Sequence, residues 1–253
     1  MAGAVGTLAG GRKPCYPQGM PPAAAPPIVD IEGRPVPVTV RRSARACRMS
    51  LRVDAKADAV ILVLPEGVGL SHGLRFVQAR HDWIAGRMAA LPPRIPFVDG
   101  AVVPVLGVEH VVCHRPEARR GVWAEDGALL VSGRTEFVSR RVTDWLKSQA
   151  QREVAQRAYP MAEGLGRKLA GIVLRDQRTR WGSCTADGQL AFSWRLVLAP
   201  ESVLAYVVAH EVAHLVEMNH SAAFWRLVHE LMPDSATPRH WLQMHGGRLH
   251  RYG

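Results

Sequence analysis

At residues 210–220 the chain reads HEVAHLVEMNH, a pattern typical of a zinc-binding helix that carries its own general base. On a helix, His210 and His214 lie about 40° apart around the axis and roughly 6 Å apart along it. Both imidazoles can therefore reach one metal ion. Glu211 is adjacent to them and can serve as the base for a water on that ion.

His220 is the predicted third ligand. An unbroken helix would carry it roughly 280° around and about 15 Å beyond the first histidine, out of reach of the ion. We therefore predict that the helix ends after Glu217 or Met218 and that the chain turns back. Asn219 suits this bend, because asparagine tolerates the left-handed conformation that ends helices. Ser221 then suits the N-cap of the next helix.

Three histidines with one open position are the catalytic form of a zinc site, whereas structural sites are closed by four protein ligands. Glu230, roughly two turns into the next helix, is the rival third ligand. Tyr206 lies one turn before the first histidine, where it either lines the site or belongs to the core. Three imidazoles also accept other first-row metal ions.

A histidine cluster packed without metal is the alternative interpretation. The flanking residues 205–209 and 215–216 are apolar, which indicates a buried helix. Two histidines and a glutamate without partners in a core would be costly, and a metal ion removes that cost. His110 and His114 share a predicted strand face but have no evident third partner, so we interpret them as surface or packed histidines.

The 253-residue chain carries a net charge of +10, nearly all of it from arginine, which has no run of five or more. A nucleic-acid partner is therefore one hypothesis. The chain has no run of eighteen apolar residues, so no membrane span is expected. The four cysteines form no CxxC pair and no disulfide framework, which favours a reducing compartment and makes the cytoplasm the predicted location.

Three parts are predicted along the chain. Residues 1–27 are a disordered tail rich in Gly, Ala and Pro. Residues 28–134 form a β-rich region with one helix, from an N-cap at Ser71 to about Ala90. Residues 135–253 form a zincin-like metallopeptidase domain that begins with a long helix to about residue 164, in which a kink near Pro160 is allowed, and that contains a hairpin with its turn at Asp187-Gly188. We find no internal repeat in the sequence.

Several stretches closely resemble the YgjP-like family of predicted zinc metallopeptidases. They are Arg180-Trp181-Gly182-Ser183-Cys184, the segment 193–200, the His-Glu helix, and residues 220–234. The specific likeness covers roughly residues 170–245, and the family commonly has Asn where Ser193 stands. The chain is also distantly similar to SprT-like proteases, which act on proteins crosslinked to DNA. The resemblance implies an α+β fold, in which a β-rich N-terminal part precedes a zincin-like helical metallopeptidase domain with a short sheet.

The same resemblance implies that His210, His214 and His220 bind zinc and that Glu211 is catalytic. Zinc peptidases of this kind often hold an extended substrate against an edge strand, and the strand at 189–195 is the candidate. Arg180 and Arg195 either contact a substrate carboxylate or oxyanion, or form structural ion pairs, the interpretation we favour.

The leading hypothesis is a soluble cytoplasmic zinc metallopeptidase that acts on a protein or peptide substrate through a water activated by Glu211. One alternative is a nucleic-acid-associated, SprT-like protease. Another is a zinc-stabilised interaction module without turnover, although such a module needs no base. No oligomeric state is predicted.

Overall fold

The computed structural model describes residues 25–253, so the predicted tail lies outside the described residues except for its last three. The described part is a mixed α/β protein with three small sheets and six α-helices, in agreement with the α+β class in its broad sense. None of these helices combines the length and the apolar character needed to cross a membrane.

The first sheet has the strand order β1-β2-β4-β3, in which β2 and β4 are parallel and the other pairs antiparallel. Its strands are β1 (Ile28–Ile31), β2 (Arg34–Ser43), β3 (Ser50–Asp54) and β4 (Ala59–Pro65). One face is covered by α1 (Leu70–Gln78) and α2 (His81–Ala89). Buried valine and leucine side chains of β2 and β4 meet Val77 and Ile84 there and form a core of their own.

The single helix predicted from Ser71 to Ala90 is two helices, and the N-cap of the first is Gly69 rather than Ser71. A continuous helix with Val77 and Ile84 on its inner face would also have carried His81 into the core. The break after Gln78 leaves half of the His81 side chain exposed, and its Nδ1 lies 3.1 Å from the Gln78 carbonyl oxygen. The break therefore keeps a polar imidazole out of the core.

The second sheet repeats the arrangement of the first, with the order β5-β6-β8-β7 and one central parallel pair. Its strands are β5 (Val102–Val105), β6 (Val108–Arg115), β7 (Val122–Glu125) and β8 (Ala128–Ser132). The two sheets share their strand order and pairing, and this structural repeat is not evident in the amino-acid sequence. Nδ1 of His110 and Nε2 of His114 each lie against a backbone carbonyl, of Val108 and Gly133 respectively, and neither belongs to a metal-like cluster within residues 25–253.

The long helix α3 (Val138–Gly164) follows a 3-10 turn, Thr135–Phe137, and contains Pro160. Every fourth residue from Val138 to Ala162 is buried. The first half of this stripe packs in a core with the second sheet, and the second half packs in a core with the later helices. The domain division at residue 134 remains a prediction, and hydrophobic packing runs across it.

The third sheet has the order β10-β11-β9, with β11 antiparallel to β10 and parallel to β9. Its strands are β9 (Gly171–Arg175), β10 (Gly182–Cys184) and β11 (Gln189–Ser193), and Gly188 takes a φ of +81° in the predicted hairpin turn. The prediction that the strand at 189–195 is an edge is wrong, because β11 has a partner on each side. The open edge next to the later helices belongs to β10.

A cluster of ion pairs ties the β3–β4 turn to the rest of the molecule. Asp176 accepts a hydrogen bond of 2.9 Å from Nε of Arg195 and a second bond from Lys56. Arg195 is 3% exposed and also donates to the carbonyl oxygens of Leu249 and Tyr252. Arg195 is therefore a structural ion-pair partner, as favoured from the sequence, and it does not face a substrate.

We expect Asp176→Asn to destabilise the chain near neutral pH and the effect to shrink on acidification. Burial alone would raise the pKa of Asp176, but Arg195 and Lys56 outweigh it and lower the pKa from 3.8 to about 2. The stabilisation is thus fully present at a pH above the unfolded-state pKa of Asp176, and it is lost as the pH falls through the folded-state pKa. It is on the order of 1 kcal/mol, since solvent screens this partly exposed carboxylate. Urea unfolding of both proteins between about pH 6 and pH 2 measures the difference in their free energies of unfolding. A difference that does not change with pH would contradict the prediction.

Candidate metal centre

The helix α4 (Glu201–Ala213) carries the first part of the site. It is apolar nearly all round and buried along most of its length, as the flanking sequence indicated. Glu211 and His214 are 6% and 9% exposed, and His210 is half-buried. The helix thus holds three polar side chains at the boundary between a rigid core and a pocket.

The chain leaves this helix earlier than predicted. The helix ends at Ala213 with His214 as its C-cap, and i→i+3 turns follow, in which Leu215 and Val216 donate to the carbonyls of Val212 and Ala213. Asn219 does not adopt the left-handed conformation; its side-chain oxygen accepts a hydrogen bond of 3.0 Å from the Ser221 backbone instead. The predicted bend is present, but a side-chain turn forms it.

The helix α5 (Ala222–Leu231) begins at the predicted N-cap, where the Ser221 hydroxyl accepts a hydrogen bond from the Phe224 backbone N–H. A third helix, α6 (Ala236–Leu249), follows and packs against α4. The N-cap fixes the start of α5, and His220 is the residue immediately before it. His220 is therefore held beside α4 rather than carried away along it.

The three predicted histidines converge. One ring nitrogen from each of His210, His214 and His220 lies within 4.8 Å of the others, and the Nε2 atoms of His210 and His220 are 3.2 Å apart. Nδ1 of His214 lies 2.9 Å from the Glu217 carbonyl oxygen, so a proton on Nδ1 leaves the lone pair of Nε2 free for a ligand. This donor set fits a divalent transition-metal ion such as zinc.

Phe224 holds the three imidazoles in place by packing. Its ring is fully buried and lies 4.5 to 4.9 Å from each histidine ring, centroid to centroid. Nδ1 of His210 is buried without a hydrogen-bond partner in the described chain, so aromatic contacts orient that ring. Trp225 closes the other side of His210 and His220, at 5.8 Å from each.

Two of the three histidines have lowered pKa values, which favour the neutral ring. Burial, followed by the neighbouring charges of the other two histidines and Arg239, lowers the pKa of His210 to about 4. Burial also lowers the pKa of His214. The neutral imidazole is the form that offers a lone pair to a metal.

Glu211 lies beside the cluster in a confined position. Its carboxylate packs against Gly182 of β10, where a Cβ atom would lie 2.5 Å from Cγ and Oε1 of Glu211. Burial raises the pKa of Glu211 to about 7 against the opposing charge of Arg180. The strand β10 thus approaches the helix closely enough to fix this carboxylate only because residue 182 has no side chain.

A pocket of about 240 Å³ opens onto Glu211 and His210. Arg180 and Trp181 line it from the segment before β10, and Tyr206 and Leu242 line it from α4 and α6. Tyr206 is 6% exposed and its ring lies 6.0 Å from that of His210, so it is both a core residue and part of the pocket wall. Arg180 is exposed and forms no ion pair within residues 25–253.

Two residues of the site were not identified from the sequence. Gly182 sits inside a short strand, where glycine often marks a close backbone approach. Arg239 on α6 lies 4.6 Å from the Trp225 ring and within electrostatic range of His210 and Tyr206, and nothing in its local sequence indicates this. Glu230, the rival third ligand, is exposed and does not belong to the cluster.

One of three comparisons with known proteins identifies a family. A comparison with curated proteins finds no match. A solved structure, the crystal structure of the metallopeptidase zymogen of Pyrococcus abyssi abylysin, is 21% identical and aligns over 37% of this chain and 92% of that chain, with a TM-score of 0.32. The model of the YgjP-like metallopeptidase domain matches residues 47–245, which include the histidine cluster and both later sheets. The chain therefore belongs to the YgjP-like metallopeptidase family.

Proposed function

We propose that this protein is a zinc-dependent peptidase with a zincin-like catalytic part, in which His210, His214 and His220 hold the ion and Glu211 is the general base. The observation that carries the proposal is the convergence of three imidazoles next to a buried carboxylate in an open pocket. A zinc ion bound there would supply a Lewis acid that polarises a carbonyl and acidifies a water.

The other parts of the proposed reaction depend on residues of the protein itself. Glu211 accepts a proton from the attacking water and then delivers it to the leaving amine. Gly182 and the buried wall of α4 restrict its carboxylate to one position, which supports efficient proton transfer. Phe224 keeps the imidazoles in a fixed orientation.

The donor set favours catalysis over a purely structural role. The cluster contains three histidine donors, and no fourth His, Cys, Asp or Glu joins it among residues 25–253. A structural zinc site is closed by four protein ligands, whereas three ligands leave a position for water and substrate. A zinc-stabilised interaction module also has no use for the buried Glu211.

The open edge of β10 is the proposed location for an extended substrate. Its free backbone N–H and C=O groups can pair with an added strand, and Gly182 at its beginning lies directly against Glu211. Arg180 precedes this strand in the pocket wall, and its guanidinium has no ion-pair partner among residues 25–253. We propose that Arg180 binds a substrate carboxylate or stabilises the developing oxyanion.

The direct test combines metal analysis with a cleavage assay. We expect about one zinc ion per chain, cleavage of a proteome-derived peptide pool, loss of cleavage on chelation, and recovery when zinc is restored. Manganese and cobalt in place of zinc test which ion supports turnover. Cleavage that is unaffected by complete metal removal would overturn the proposal.

The third ligand has its own test. We expect His220→Ala to weaken zinc binding more than about 100-fold, because a lost ligand costs more than a lost outer-shell partner. Glu230→Ala is the matched control and should bind zinc like the wild-type chain, since Glu230 lies outside the cluster. Competition with a chromogenic chelator measures both affinities. If Glu230→Ala weakened zinc binding more than His220→Ala, Glu230 would be the third ligand.

A further inference from the structure

One segment of the first sheet has an unusual charge distribution. Residues 34–53 contain six arginines and no acidic residue. All six are exposed: Arg34, Arg41, Arg42, Arg45, Arg48 and Arg52. None of them forms an ion pair within the part of the chain that the structure describes.

The arginines elsewhere in the described chain include several with a structural role. Six of them form ion pairs with Asp or Glu side chains: Arg94, Arg134, Arg157, Arg178, Arg195 and Arg251. Several of these pairs join distant parts of the chain and have a structural role. Within residues 34–53 only Arg42 makes such a long-range contact, a hydrogen bond of 3.0 Å to the Val68 carbonyl oxygen. The other five guanidinium groups have no ion pair or hydrogen bond among residues 25–253, so their positive charge remains available to an external anion.

The sheet topology brings four of these arginines to one end of the sheet. Because β2 runs antiparallel to β3, the end of β2 and the start of β3 lie at the same end of the sheet, where Arg41 and Ser50 both flank Val63 of β4. The connection between the two strands carries Arg45 and Arg48, and Arg52 lies two residues into β3.

Strand pairing also sets the face on which the arginines lie. Arg41 pairs with Val63 and Arg52 pairs with Ile61, two residues apart on β4, so both arginines lie on the same face of the sheet. Leu62 and Leu64 of β4 lie on the opposite face, in the core with the helices. Glu66, which follows β4 at this end, offsets one of the positive charges.

We propose that this arginine face, residues 41–52 with the adjoining surface of β2 and β3, binds nucleic acid through its phosphate backbone. Guanidinium groups pair with phosphate in bidentate geometry, and the segment uses arginine to the exclusion of lysine. A lipid surface is the other common polyanion, but residues 34–53 expose no large apolar side chain that would enter a bilayer. Backbone contacts of this kind do not depend on base sequence.

The binding should depend steeply on salt. If four phosphates are neutralised, the affinity for duplex DNA falls by about 100-fold between about 50 and about 200 mM salt. Fluorescence anisotropy with labelled 30-nucleotide single-stranded and duplex DNA measures the affinity and the slope. The full chain is used, and its peptidase activity is followed separately, so failure of one proposal leaves the other intact.

A charge-matched pair of variants locates the site. The test variant combines Arg41→Gln, Arg45→Gln and Arg48→Gln, and the control combines Arg119→Gln, Arg120→Gln and Arg152→Gln, which removes the same charge from exposed positions elsewhere. We expect the test variant to lose at least about 10-fold in affinity and about three units of salt slope, and the control to lose less than about 3-fold. Equal losses, no binding, or tighter binding to phosphatidylserine vesicles than to DNA would each overturn the proposal.

Discussion

Glu211→Gln should abolish most peptide cleavage while zinc remains bound. Glutamine has nearly the same shape as glutamate but cannot accept the proton of the attacking water, so we expect kcat to fall by about 100-fold to about 10,000-fold. The fold should persist, because the neutral amide avoids the cost of burying a charge in a position that raises the carboxyl pKa to about 7. Single-turnover cleavage, zinc content and thermal unfolding measure the three effects.

Glu230→Gln serves as the control for this prediction. It makes the same chemical change on the neighbouring helix, at an exposed position outside the cluster, and should leave all three measurements unchanged. A Glu211→Gln enzyme that keeps more than about one third of its rate would contradict the assignment of Glu211 as the base. Loss of zinc together with activity would instead point to a structural role for the carboxylate.

The local sequence predicted those features of the site that depend on short-range geometry. The spacing of His210 and His214 and the N-cap at Ser221 are properties of one helix turn and one turn residue, and both are present in the structure. The expectation for Asn219 was wrong in detail, because an asparagine can end a turn by hydrogen bonding through its side chain as well as by adopting a left-handed backbone.

Long-range pairing was not predictable in the same way. The parallel partnership of β11 with β9 places a distant segment on the side of β11 that the hairpin leaves open, and only the folded chain shows that the free edge is on β10. The roles of Arg180 and Arg195 also separate only in three dimensions. Asp176 and two backbone carbonyls bind the guanidinium of Arg195, whereas that of Arg180 lies in the pocket wall and has no ion-pair partner in the part of the chain that the structure describes.

Gly182→Ala should impair catalysis without unfolding the protein. An added Cβ would lie 2.5 Å from Cγ and Oε1 of Glu211, a distance at which the carboxylate must move. Gly182 does not have a positive φ, so alanine fits the backbone and strand β10 should still form. We expect kcat to fall at least about 10-fold, since small displacements of a catalytic group are costly. Cleavage kinetics measure the loss of kcat, and unchanged zinc content and thermal unfolding would show that neither the metal site nor the fold is lost.

A double-mutant cycle tests whether the effect acts through Glu211. In a Glu211→Ala background the Cγ and carboxylate that meet the new methyl group are absent, so Gly182→Ala should have little further effect on the residual rate. If the substitution instead disturbed pairing of substrate with the edge of β10, it would cost the same in both backgrounds. Ser183→Ala, at the next position of the same strand, provides the matched control and should retain activity. Equal losses in the two backgrounds would therefore assign Gly182 to substrate binding and remove it from the positioning of the base.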